Sequence, residues 1–314
     1  NIWEGRKMME AARKYNRVVQ VGFQNRSIVN VREAIQFLHD GGIGKVFMAR
    51  GLCIKPRNSF GIAKDSQPPA SLHYDLWLGP VTWRPYNEKR DIYNWHWFWD
   101  TGNGDTGNQG PHQFDIARWG LNKNEHPISI DSTGGIYGWT PDECAQETPD
   151  MQSSVFKYKD GSILQFETRG RQSNGEGSLG IKIGNIFYGT KGYLEIDGST
   201  WKAFHNGDDK PFAGSKSAGG SNESISLTGP SETEHFANFL DGVRSGNYQD
   251  LHCDINEGFF STVLPLTANI SYRLKRGLAF MGGDMDREKF VNDPEANEML
   301  TRVYRPPYVV PNEV

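Results

Sequence analysis

Residues 154–168, SVFKYKDGSILQFET, and residues 185–197, NIFYGTKGYLEID, decide the reading of this chain. In both, apolar and polar residues alternate around a short turn. The first turns at Asp160-Gly161 and the second at Thr190-Lys191-Gly192, the pattern of antiparallel hairpins with one buried face. Working outward, the texture from 128 to 205 is that of strands, and helices flank it. Asp254 opens a long helical pattern over 254–276. Ser231 and Glu234 form a capping box for a helix over 231–244. The Gly/Ser/Asp-rich residues 206–230 read as an exposed excursion.

Toward the N-terminus, residues 4–15 carry Met8, Ala11, Ala12 and Tyr15 at helical spacing, and VVQVGF (18–23) follows as a β-branched run. A helix feeding such a run is the end of a βα repeat in a parallel sheet. A second helix is expected over 28–40 and a strand over 45–54. Residues 55–107 are irregular and rich in Pro, Trp, Asn and Asp, which suits a functional loop more than a linker. The fold expected is therefore α/β. The last piece of a doubly wound domain is followed by a large, mainly antiparallel open sheet with helices on one face. An extended tail closes the chain.

Composition excludes several classes. The formal net charge of −4 leaves no basic footprint for nucleic acid. No apolar run reaches the ~18–20 residues of a membrane span. The 3 cysteines, Cys53, Cys144 and Cys253, form neither a disulfide framework nor a metal knuckle. The compartment is left open between cytoplasm and periplasm.

Two stretches match G-x-G-x-x-G literally, at Gly102, Gly104 and Gly107 and at Gly175, Gly177 and Gly180. The second leads into a strand. The first opens a helix but follows NWHWFWD, which is no buried parallel strand. Neither has the strand–turn–helix context that a dinucleotide loop requires. The helix expected over 108–121 is more informative. Asn108, His112, Asp115 and Trp119 fall within roughly 60° of one another at ~100° per residue. Phe114, Ala117 and Leu121 supply the packing stripe opposite. A His beside a carboxylate on a polar face suits proton transfer near neutral pH, although an ordinary solvated face has the same spacing. No metal site is expected, since His112 and Asp115 supply only two ligands.

Upstream, YNWHWFWD (93–100) offers Tyr93, Trp95, His96 and Trp97, whose faces suit the C–H side of a pyranose ring. One or two of them are expected to meet ligand and the others to anchor the loop. Gln24 and Arg26 follow the 18–23 run directly, where open parallel sheets bind ligands, and are the candidate cofactor-edge residues. Arg169 ends another strand and is a candidate for a sugar hydroxyl or carboxylate. Arg171 reads better as a surface charge.

Taken together, AARKYNRVVQVGFQNRS, YDLWLGPVTWRPY, GNGDTGNQGPHQFDIARWGL, GTKGYLEI and ANEMLTRVYRPPYVVP resemble the Gfo/Idh/MocA oxidoreductases over nearly the whole chain. The resemblance implies a Rossmann domain binding NAD or NADP, then an α/β domain that binds a sugar or sugar derivative and forms homo-oligomers through its open sheet. It divides the chain into residues 1–27 as the end of the dinucleotide-binding domain, 28–284 as the substrate and oligomerisation domain, and 285–314 as the tail. The family's catalytic pattern, Asp-x-Gly-x-His-x-x-Asp, is matched by residues 108–115 except that Asn108 stands where the acid is usual. This implies His112 as general acid/base with Asn108 beside it, Asp115 among the substrate contacts, and Asp105 as a helper. The family's glycine loop and Glu-Lys-Pro lysine have no counterpart here, and both would precede Asn1. The activity implied is hydride transfer to or from a sugar carbon. Alternatives are NAD-dependent glycoside cleavage through a keto intermediate, and a non-catalytic carbohydrate-binding or oligomer-forming role.

Overall fold

Among the described residues a nine-stranded sheet organises the chain, in the order β8-β7-β6-β5-β1-β4-β3-β2-β9. The strands are β1 (Val46–Ile54), β2 (Ser129–Gly135), β3 (Met151–Lys157), β4 (Ile163–Arg169), β5 (Ile183–Gly189), β6 (Gly192–Ile196), β7 (Trp201–His205), β8 (Ala213–Gly214) and β9 (Leu278–Ala279). The computed structural model describes residues 1–91, 93–171, 174–197, 200–215, 230–281 and 288–314. The expected 206–230 excursion lies largely outside these residues, as does the side chain of the Ser231 cap.

Both hairpins form as their alternation requires. β3 and β4 pair antiparallel, with Lys157 opposite Ile163 and Met151 opposite Arg169, and Gly161 in the intervening turn has φ +86°. β5 and β6 pair antiparallel across Thr190 and Lys191. At the centre, β1 runs parallel to β4 and antiparallel to β5.

The helices are α1 (Ile2–Lys14), α2 (Val29–His39), α3 (Tyr74–Leu78), α4 (Gly104–Asn108), α5 (Gly110–Gly120), α6 (Pro230–Ser245), α7 (Ile255–Leu274) and α8 (Pro294–Glu298). Asp254 caps α7 by accepting from the Asn256 N–H, and the helix stops at Lys275 in the left-handed region. α5 and α7 pack on the same face of the sheet, and α1 packs on α7. Phe114 of α5 meets Phe166 of β4 at 4.3 Å between ring centroids and Phe156 of β3 at 5.4 Å. One buried cluster runs from Ile2 through these rings to Trp201 and Ala296, so residues 1–27 share the core of the rest.

Three expectations need correction. Residues 18–23 are extended but form only a bridge, Gln20 to Asp254. Their partner is the turn into α7, which offers the Cys253 carbonyl and the Ile255 N–H but no length of strand to pair with. The expected 108–121 helix is two helices meeting at Gln109, and α5 is buried nearly all round, because sheet and α7 enclose it; only His112 and Trp119 are partly exposed. The tail is more than extended chain. It contains α8, and Arg305 donates to the Gly79 and Val81 carbonyls while the Tyr308 hydroxyl donates to Asp75 at 2.8 Å, strapping it to α3.

The close approach of α5 to the sheet rests on small residues. A Cβ on Gly120 would lie 2.2 Å from Phe187, and one on Gly51 would lie 3.1 Å from the Gln113 Cβ. Gly120→Ala is therefore expected to lower the free energy of unfolding by about 1–3 kcal/mol through overpacking, read from urea denaturation. An unchanged midpoint would show that the helix seat is not tight.

Candidate active site

The site is built where α5 begins. Its approach is fixed by three contacts. Arg57, just after β1, forks onto Asp105 at 3.0 and 2.7 Å. Thr106 donates to Gln152 on β3 at 2.7 Å, and Asn269 of α7 donates to the Asn103 carbonyl at 2.9 Å. Pro111 sits in the first turn of α5, where its missing N–H costs nothing.

Beneath this start lies a buried ion cage. Arg26 donates to both Asp115 oxygens, at 2.7 and 2.9 Å, and to Glu257 at 2.9 Å. Ser261 donates to Asp115 at 2.7 Å, and Arg118 donates to Ser261 at 2.9 Å and to Glu257. The Arg26 guanidinium also lies 4.8 Å from the centre of the Trp119 ring. Burial alone would lower the Arg26 pKa, but Asp115 and then Glu257 hold it above the ordinary arginine value. The charges satisfy one another, which is what allows them inside. The cage corrects two sequence expectations. The Asp115 side chain is 1% exposed and that of Arg26 7%, so neither is open to substrate or cofactor. The polar face seen in the sequence is an interior one. Asp105 is likewise committed to Arg57 rather than free to help His112.

His112 is the exception on α5. It is partly exposed, its ring meets Phe23 edge-on at 5.7 Å, and among the described residues its side chain has no hydrogen-bond partner. Burial lowers its pKa below the ordinary histidine value; Asp115 pulls the other way, and Lys55 lowers it further. The imidazole is therefore neutral at neutral pH and ready to accept a proton. Lys55 follows the last residue of β1, and its ammonium has no salt-bridge partner among the described residues. Sequence reasoning missed it, although a cation directly beyond the carboxyl end of a strand is the signal that would have found it. Asn108 and Gln24 are partly exposed with uncommitted side chains among the described residues.

The aromatic segment divides. Tyr93 and Trp95 are exposed at 52% and 37%. Tyr93 accepts from Arg57 at 3.3 Å, and Trp95 stacks on His96 at 3.9 Å. Trp97 is buried between Phe60 and Arg57, so it anchors the loop instead of meeting a ligand. Arg169 belongs to a different surface. Strand alternation sends Thr168 inward to Thr106 and turns Glu167 and Arg169 to the opposite face. There Arg169 and Arg50 share Glu167 and Glu176, on the face of the sheet away from α5 and His112.

The segment that carries Phe23 and Arg26 is held by a directional hydrogen-bond chain. The Val21 carbonyl can only accept, so His235 Nε2 donates to it at 2.9 Å, and His235 Nδ1 accepts from Ser27 at 2.8 Å. Ser27 in turn accepts from His252 Nδ1 at 2.8 Å, and His252 Nε2 accepts from Arg32 at 3.1 Å. His252 is thereby neutral. Burial lowers its pKa, with Arg32 and His235 adding to the shift and Glu234 opposing it.

A model of the Gfo/Idh/MocA family, described as the oxidoreductase family's C-terminal alpha/beta domain, matches residues 62–196. Solved structures share the fold of this chain. Aldose–aldose oxidoreductase from Caulobacter crescentus, complexed with glycerol, is 14% identical at a TM-score of 0.59, covering 88% of this chain and 68% of its own. A levoglucosan dehydrogenase in complex with NADH and levoglucosan is 13% identical at 0.60, covering 87% and 69%. UDP-N-acetylglucosamine 3-dehydrogenase from Acidithiobacillus ferrooxidans is 14% identical at 0.52, covering 87% and 67%. No curated protein sequence matches the chain. Among the described residues, no helix is long and apolar enough to cross a membrane.

The cage and the chain of histidines can each be tested. Asp115→Asn leaves Arg26 under-compensated in the interior and is expected to cost about 3–5 kcal/mol, measured by urea unfolding; a cost below about 1 kcal/mol would contradict the cage's role. A histidine whose native pKa is depressed takes up its proton more readily when unfolded. His112 and His252 therefore stabilise fully above about pH 6.5, and that stability erodes as pH falls toward their lower native values. Unfolding free energy is expected to rise from pH 5 to 7, with a shallower rise in His252→Asn.

Proposed function

We propose that this chain forms the substrate side of an oxidoreductase site that moves a hydride between NAD or NADP and a hydroxyl or keto carbon of a sugar or sugar derivative. His112 is its general acid/base. The observation that carries the reading is the state of His112: the one polar side chain of α5 both partly open and uncommitted to hydrogen bonds or ion pairs among the described residues, and kept neutral.

The geometry supports a role for each residue. In oxidation, the neutral His112 takes the proton of the reacting hydroxyl; in reduction, the imidazolium returns it. Lys55, the cation directly after β1, would stabilise the oxygen as its charge develops. Asn108, one helical turn before His112, orients a hydroxyl without titrating. Tyr93 and Trp95 offer faces to the ring. Asp115 is a positioning residue: it fixes α5 to the segment that presents Phe23 to the His112 ring.

The residues past 18–23 fit a nicotinamide edge in part. Nothing lies within 4 Å of the place a Gly22 Cβ would occupy, and the Gln24 side chain is uncommitted, while Arg26 is spent on the ion cage. Gln24 and the Gly22 backbone would then hold the cofactor, which supplies the hydride acceptor or donor. The face of the sheet away from α5, which carries the Arg50–Glu176 ion pair, is the surface we assign to homo-oligomer contacts.

His112→Ala is expected to lower turnover by about 100-fold or more while leaving the circular dichroism spectrum unchanged. In the oxidation direction, kcat/KM should hold down to slightly acid pH and fall only below the depressed His112 pKa. Wild-type turnover in the variant would sink the assignment.

A further inference from the structure

A groove of about 800 Å³ opens on the far end of α7, lined among others by Trp99, Asp131, Thr133, Tyr272, Arg273 and Lys275. Its size is within the range of about 300–1,000 Å³ common for small-molecule sites. Its lining includes none of His112, Asn108, Lys55, Gln24, Tyr93 and Trp95. Trp99 and Tyr272 form a tilted aromatic wall, with ring centroids 6.1 Å apart at 35°. The Arg273 guanidinium stands 5.2 Å over the Trp99 ring, and both residues also border a neighbouring cavity of about 330 Å³.

The charges in the groove are not balanced like those of the ion cage. Arg276 is committed to Asp293 and Glu295. Glu147 accepts from the Trp99 N–H at 2.8 Å and lies 3.8 Å from Arg84. Arg273 and Lys275 have no carboxylate within salt-bridge distance among the described residues. Shielding from water lowers the Arg273 pKa, with Glu147 offsetting only part of it. Arg26, Arg50, Arg57, Arg169 and Arg276 are all raised instead, by carboxylates they touch. For Arg276 those carboxylates are Asp293 first and then Glu295. Arg273 is thus an exposed cation with no salt-bridge partner among the described residues, held over one side of an aromatic wall.

We propose that this groove is a second saccharide site, selective for a uronate-bearing oligosaccharide. Trp99 and Tyr272 take the apolar C–H face of a sugar ring. The Arg273 fork receives the planar carboxylate, a match of shape as well as charge, and Lys275 adds a second positive charge at the rim. Thr133 and Asp131, both exposed on β2, are placed for the ring hydroxyls. The proposal stands apart from the assignment of His112.

Calorimetric titration of the protein with trigalacturonate, maltotriose and inorganic phosphate tests it. Trigalacturonate is expected to bind at least 10-fold more tightly than maltotriose or phosphate, and to weaken with added salt. Arg273→Gln should weaken it 10-fold or more, and Arg273→Lys, which keeps charge but loses the fork, by an intermediate factor. His112→Ala should leave the affinity unchanged. Equal affinity in Arg273→Gln, or equal binding of maltotriose or phosphate, would overturn the proposal. So would loss of binding in His112→Ala, since that places the ligand at the other site.

Discussion

The Arg26–Asp115 pair joins three parts of the chain that are remote in sequence. Arg26 comes from the turn after residues 18–23, Asp115 from α5, and Ser261 and Glu257 from α7. With both members of the pair almost fully shielded from water, neither can be rotated away without leaving an uncompensated charge in the interior. The position of His112 depends on this constraint. His112 sits one turn before Asp115 on the same helix, and its ring rests against Phe23, three residues before Arg26. A network that binds no ligand thus sets the geometry of the residue assigned to the chemistry.

The sheet supplies the second constraint. Seated at Gly51 and Gly120, α5 lies too close to the strands for side chains between them at those points, and the Phe114–Phe166–Phe156 rings fill the space beside these contacts. Rigid backing of this kind suits a proton-transfer residue, whose distance from substrate must hold to a fraction of an ångström. The loop of exposed aromatics is braced in a different way. Arg57 connects Tyr93, Trp97 and Asp105, so the aromatic segment and the start of α4 are held by one guanidinium.

Much of this was legible in the sequence. The alternation in 154–168 and 185–197 determined two hairpins and their turns, because the period of two leaves a single register with one buried face. The helical spacing in α1 and α2 was a local signal of the same sort. His112 stood out because few side chains carry a proton near neutral pH, and the surrounding stretches resembled a family of oxidoreductases.

What only the tertiary structure decided was which polar groups are spent on one another. Helical spacing put Asn108, His112 and Asp115 on one face but could not show that α7 and residues 24–27 cover part of it, burying Asp115 and leaving His112 partly open. Strand alternation put Glu167 and Arg169 on one face but could not show that they meet Arg50 and Glu176, since these come from two other segments. Arg273 over the Trp99 ring is likewise a pairing of distant positions. Periodicity reports the direction a side chain takes from its own backbone. What it meets there depends on the packing of other segments, and in this chain that packing separates the charges that hold the fold from those left for a ligand.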